Sequence, residues 1–233
     1  MRESTRENPL SQAEVLNHVK THRSDVFEVA KVAIDVELTK AAEAGTCVTT
    51  TLARDGHKIE ETLNNYQEGF AIDKRHCING DLDQYAKKPA KVAGSYELDG
   101  GRSWEEVTPG ETVKAKTIGG EHRQAFVAEK TLFIATEWGD IQEVGAGGIV
   151  TISGTEAIGN NNPCDMVLVV DGKQSNVVMT KPVFEQRKDL EAQGAKLTPA
   201  VEKFFKVAAE EDRKNPYMND MSKTYDKGNG IEK

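Results

Sequence analysis

Apolar and polar positions alternate along most of this chain with the two-residue period of extended strands, and a helical period stands out only near its two ends. Val32, Ile34, Val36 and Leu38 alternate with Ala33, Asp35 and Glu37, which predicts a half-buried strand within 26–40. Phe27, Ala30 and Ile34 also fall at helical spacing there, and the β-branched content decides for a strand. The run VTTTL at 48–52 predicts a strand, Asp55-Gly56 a tight hairpin turn, and 59–65 the returning strand. Glu68-Gly69 turns the chain again, Phe70, Ala71 and Ile72 make a buried strand, and Asn79-Gly80 marks a further turn. A strand over 84–93 then carries Pro89, which lacks a backbone donor, so it belongs at an edge or at a bulge.

Beyond a turn-rich stretch at 98–110, where Trp104 is expected as a lid on apolar surface, alternation resumes. Strands are predicted at 112–117, 124–127, 131–136, 149–153 and 166–170, with Gly119-Gly120 and Asp171-Gly172 as turns and 176–179 as a hairpin partner. The ends read differently. Ser11 with Glu14 is a capping box ahead of Val15, Leu16 and Val19, predicting a helix over 12–21. The chain turns helical after 181–185, and Thr198 and Pro199 open a helix whose Val201, Phe204, Phe205 and Ala208 form one stripe. Residues 215–233 have the polar, Gly-containing composition of a mobile tail.

The segment 45–97 returns in degraded form at 131–191. Each copy has a strand, a turn, a Gly-centred second strand and a closing segment with Lys-Pro, at Lys88-Pro89 and Lys181-Pro182. The expected fold is therefore mainly β, of α+β type: two related β modules, 26–98 and 110–192, in a barrel-like or sandwich core. An N-terminal segment and helix (1–25), a C-terminal helix (198–214) and the tail complete it.

Within Glu68 to Glu97, EGFAIDKRHCINGDLDQYAKKPAKVAGSYE, a Gly-centred β element is followed by an acidic turn, a tyrosine and a closing aromatic. This order resembles the PGDYG-domain proteins of bacteria and fungi, and phage proteins with a Lys-Lys-Pro strand are similar too. The family motif would fall on QEGFA at 67–71, where Phe70 stands in place of the aspartate and the leading proline is absent; GAGGIV at 145–150 lacks it as well. The resemblance covers half the chain, implies a small β module used twice, and brings no activity with it.

Composition narrows the chemistry. A net charge of −8 over 233 residues disfavours nucleic acid as a partner, because phosphate binding requires clustered cations. Three cysteines, Cys47, Cys77 and Cys164, have neither disulfide-framework nor zinc spacing, which points to a reducing, cytoplasmic setting. No signal peptide or membrane-spanning run is read, and neither metal nor cofactor is expected. His18 and His22 lack the Glu of a zinc-protease helix, and Asp81 and Asp83 lack the remaining positions of a calcium loop. Gly145, Gly147 and Gly148 precede a strand, not a helix, so they read as a turn and bulge instead of a phosphate cradle. Cys77, beside Arg75 and His76, reads as structural.

A cleft between the two modules is the expected site. His57, Glu61 and Asp140 are the candidate acid–base groups if the protein is an enzyme, a cofactor-independent isomerase, cyclase or hydrolase. Asn64, Arg75, Asp83, Tyr85, Glu137 and Trp138 are the candidate ligand contacts. Trp138, beside Glu137 and Asp140, could stack on a sugar, base or cation, and serves equally as core filler. The reading favoured is a binding protein for a small molecule or protein partner, with a homodimer allowed.

Overall fold

A computed structural model of the chain describes residues 1–76, 82–137 and 139–218. In chain order the elements are α1 (Gln12–Thr21), β1 (Phe27–Lys31), β2 (Asp35–Lys40), β3 (Gly45–Leu52), β4 (Lys58–Tyr66), β5 (Ala71–His76), β6 (Leu82–Lys87) and α2 (Pro89–Val92). There follow β7 (Tyr96–Leu98), β8 (Thr112–Thr117), β9 (His122–Val127), β10 (Leu132–Ala135), β11 (Ile141–Val144), β12 (Ile149–Ser153) and β13 (Glu156–Asn160). The chain continues with β14 (Met166–Val170), β15 (Lys173–Val178), α3 (Val183–Ala192) and α4 (Pro199–Lys214). The protein is mainly β, with antiparallel sheets and a helix toward either end, as the alternation predicts. No sheet among the described residues closes into a barrel.

One sheet has six strands in the order β13-β12-β9-β1-β14-β15, and another has five, β6-β5-β2-β8-β7. The two are joined by a crossing. The predicted strand within 26–40 is two strands: β1 lies in the six-stranded sheet and β2 in the five-stranded one, with the chain passing between them at Val32–Ile34. Antiparallel beside it, β8 passes into β9 through Ile118–Glu121. The Lys31 and Gly120 amides donate to the Glu121 and Lys31 carbonyls, and the Thr117 amide donates to the Ile34 carbonyl. Gly119 sits where the two segments touch: a Cβ there would stand 2.6 Å from the Ala33 nitrogen and 2.8 Å from the Val32 carbonyl carbon.

On either side of the crossing the wiring repeats. β2 is followed by the hairpin β3–β4, returns as β5 antiparallel to itself, and ends at β6; β9 is followed by hairpin β10–β11, returns as β12, and ends at β13. Beyond the crossing strands, β7 flanks β8 as β14 flanks β1. The boundary drawn at 98–110 does not coincide with the sheets. β1, from the first expected module, lies in the sheet of the second, and β8 lies in the sheet of the first. The matched Lys-Pro pairs also occupy different places, one between β6 and β7 and the other after β15.

Burial follows the alternation. In the six-stranded sheet Phe27, Val29, Ala125 and Leu168 face α3 and α4, whose Val201, Phe204, Phe205 and Ala208 are all buried. Burying a phenylalanine such as Phe204 is worth about 1.5–3 kcal/mol. Thr198 caps α4 by accepting from the Val201 amide. The opposite face, with Phe126 and Val150, packs against Val15 and Val19 of α1 and Ile134 of β10. Ser11 and Glu14 form the expected capping box of α1. In the five-stranded sheet Leu38, Val113 and Ala115 meet Val92, Trp104 and Val107. Trp104 is buried and donates its indole N–H to the Gly69 carbonyl, so Trp104 and Val107 close this core from an otherwise mostly exposed stretch.

Two local readings change. The strand expected over 84–93 ends at Lys87, because Pro89 opens α2, where its fixed φ and missing N–H suit the first helical position. The tail begins packed: Asn215 is fully buried and Met218 nearly so, and Asn215 donates to the Arg54 carbonyl. Its remainder, 219–233, lies outside the described residues, as do Cys77, Asn79-Gly80 and Asp81.

Candidate functional site

The three acid–base candidates do not converge. His57 lies at the tip of the β3–β4 hairpin, its ring paired with Asp55 at 2.6 Å and more than half exposed. Glu61, also about half exposed, pairs with Lys58 at 2.9 Å. Asp140 is exposed in the β10–β11 turn, where its amide and carbonyl bond to Thr136. Among the described residues no hydrogen bond or ion pair joins these three. Glu137 is exposed in the same turn, Asn64 donates to Thr49 within its own hairpin at 2.9 Å, and Trp138 lies outside the described residues.

Arg75, Asp83 and Tyr85 do converge, at the junction of the two sheets. Period-two alternation puts Asp73 and Arg75 on one face of β5, and the register pairs them with Tyr85 and Asp83 of β6. Asp73 is fully buried. One of its oxygens accepts from the Arg75 guanidinium at 2.8 Å and from the Tyr96 hydroxyl at 2.6 Å. Its other oxygen has no partner. From the loop before β14, Asp165 approaches Arg75 at 3.9 Å and Lys31 at 3.5 Å. The Arg75 guanidinium also lies over the Tyr85 ring, and the Lys87 ammonium over Tyr96. Asp83 accepts from the Thr50 and Gln84 amides, which pins hairpin β3–β4 against β6.

Burial and neighbouring charges shift the titrating groups of this junction. Burial disfavours the Arg75 charge, but the Asp73 carboxylate outweighs it and the guanidinium is held protonated. Burial first, and then hydrogen bonds to Asp83 and Asp73 respectively, push Tyr85 and Tyr96 up, so both phenols stay neutral donors. Burial likewise raises the Cys164 thiol despite the attraction of Arg75, which removes it as a nucleophile near neutral pH. Lys87 is lowered by burial and then by repulsion from Arg75. Three cations, Lys31, Arg75 and Lys87, stand with three carboxylates, Asp73, Asp83 and Asp165. The balanced set offers no excess charge to an ionic ligand. The cleft expected between modules is filled here by side chains bonded to one another.

A second polar cluster was not foreseen. Arg54, nearly buried at the tip of β3–β4, forms a two-pronged pair with Asp212 of α4 at 2.6 and 3.1 Å and donates to the Met179 and Lys181 carbonyls. Gly147 allows this approach, since a Cβ there would lie 3.0 Å from the Arg54 side chain. The glycines at 145–148 thus form the expected turn, with φ of 77° at Gly147, and make room for the hairpin tip. This cluster ties hairpin to helix.

An opening lies elsewhere. A groove of about 590 Å³ runs beside the end of α1 and across β9, β1 and β14 toward the start of α4. Val19, Val26, Phe27, Val169 and Val201 supply its apolar lining. Lys20 and Arg23 stand at one rim, and Asp171 lines the groove from the β14–β15 turn. His122 pairs with Glu28, and Arg123 with Glu121 at 2.6 Å. No single window of the sequence brings these residues together, because five separate elements and the segments between them contribute them. Val19 and Val201 stand in the apolar stripes of their helices, which carry no signal of a groove.

Among the described residues no group of histidine, cysteine and acidic side chains is arranged to hold a metal, and no helix is long and apolar enough to cross a membrane. His18 and His22 stack on each other with ring centroids 4.4 Å apart. Comparison with protein-family models, with curated proteins and with solved structures returns no match. The PGDYG likeness therefore rests on the residues at 68–97 alone.

Proposed function

We propose that the protein is a cytoplasmic, non-catalytic binding protein whose ligand sits in the groove beside α1 and the six-stranded sheet. The observation that carries this reading is the groove itself: its volume falls within the roughly 300–1,000 Å³ usual for ligand sites, and it combines an aliphatic floor with polar groups at the rim. Dispersal of His57, Glu61 and Asp140 over separate exposed positions supports binding over acid–base catalysis, since a general acid and base must reach one substrate together. Free thiols at Cys47 and Cys164 suit a reducing compartment. The wiring common to β2–β6 and β9–β13 supports descent from one β unit used twice.

The test is metabolite capture from a lysate followed by mass spectrometry, on the wild type, Val169→Trp and His57→Ala. Val169 is half-buried in the groove wall, so an indole there fills the space without entering the core. A compound held by the wild type and by His57→Ala, and lost from Val169→Trp, is expected. Capture of nothing, or loss from His57→Ala alone, would overturn the proposal.

A further inference from the structure

We infer that β4 is an interface at which the chain pairs with a second copy of itself, antiparallel and with the two-fold axis at Leu63. The nine residues of β4 pair only with β3. Among the described residues their backbone groups make no main-chain hydrogen bond beyond that ladder. An open edge of this length is a template for another strand unless charge, proline or a bulge blunts it. The one irregularity in the hairpin falls near Lys58, which leaves 60–66 regular and without proline.

The side chains say which strand fits. Leu63 is 64 % exposed and Val48 40 %, and the two are cross-strand partners. With the axis at Leu63, each Leu63 faces its own copy, and Val48, Leu63, Leu63 and Val48 form one unbroken aliphatic row across four strands. The same register sets Glu61 opposite Asn65 and Glu60 opposite Tyr66, so no like charges oppose each other. A neutral residue on the axis is what self-pairing requires, because any charge there would meet itself. A strand of another protein need not meet that condition.

The test is sedimentation equilibrium at about 150 mM salt, where the repulsion between two chains of net charge −8 is screened beyond about 8 Å. The wild type is expected as a dimer of twice the chain mass. Leu63→Lys places two ammonium groups face to face and should weaken association at least tenfold, with the far-UV circular dichroism of the folded chain unchanged because Leu63 is exposed in the single chain. Cross-strand partners stand about 4.5–5.5 Å apart at Cβ, so Leu63→Cys should oxidise to a 63–63 disulfide identified by peptide mapping. Val48→Cys should not link, since its copy lies three strand spacings away, roughly 14 Å. A monomeric wild type overturns the inference. So does a dimer that survives Leu63→Lys, assembly beyond the dimer, or a dimer that Leu63→Cys fails to cross-link.

Discussion

Gly119→Ala tests the crossing on which both sheets depend. The added Cβ would lie 2.6 Å from the Ala33 nitrogen, 2.8 Å from the Val32 carbonyl carbon and 3.0 Å from the Lys31 oxygen. All three are main-chain atoms of the opposing segment, so no side chain can rotate away. Relief requires the two segments to separate, at the expense of the bonds from Lys31 to Glu121 and from Gly120 to Lys31. Overpacking typically costs about 1–3 kcal/mol, and a backbone obstacle places this case near the top, at about 3 kcal/mol. For a chain of this size each kcal/mol lowers the melting temperature by about 2–4 °C, giving a fall of roughly 6–12 °C. The adjacent Gly120→Ala is the control. Gly120 has φ of 94° but nothing within 4 Å of the place an added methyl would take, so its cost is backbone strain alone, about 1–2 kcal/mol. Calorimetry of the two variants, with amide exchange at Lys31 and Gly120, gives the comparison. Gly119→Ala melting within about 2 °C of the wild type, or above Gly120→Ala, would show that the segments do not meet as described.

Arg54→Met takes the paired cation from the Asp212 carboxylate, which keeps only the Val183 amide, and leaves Gln186 as the one donor to the Met179 and Lys181 carbonyls; it should cost about 3 kcal/mol in denaturant unfolding, and the double variant with Asp212→Leu should regain part of that loss. Tyr96→Phe removes a donor from the fully buried Asp73 and should cost about 1–3 kcal/mol, and a variant as stable as the wild type would mean that water replaces the phenol. Glu14, bonded to Arg2, and Glu111, bonded to Arg102, both have pKa values lowered from 4.5 to about 2. Because the folded-state values are depressed, the stabilisation is present above about 4.5 and is lost as pH falls toward 2. Carboxyl NMR titration should give midpoints near 2, and Arg102→Ala should raise that of Glu111 while the Thr108 amide still holds it below the ordinary carboxylate range.

What the sequence determined by itself is local. Alternation at 36–38 and 113–117, the glycine turns at Gly56 and Gly172, and the caps Ser11 and Thr198 fix strands, turns and helix starts, since each depends on neighbours a few residues away. Arg75 and Asp83 lie outside the strands expected at 70–72 and 84–93; β5 runs on to His76 and β6 starts at Leu82, and their register is what brings Arg75, Asp83 and Tyr85 together. Only the tertiary structure decided the rest. Val32 to Ile34 reads as uninterrupted strand, yet the chain changes sheets there, because the choice is made by Gly119 packing on Ala33 from a distant part of the chain. The junction of Asp73 with Asp165, the lock of Arg54 on Asp212 and the groove between α1 and α4 likewise join residues far apart in the chain. Their energy comes from burial and pairing across that separation, and no period along the sequence encodes it.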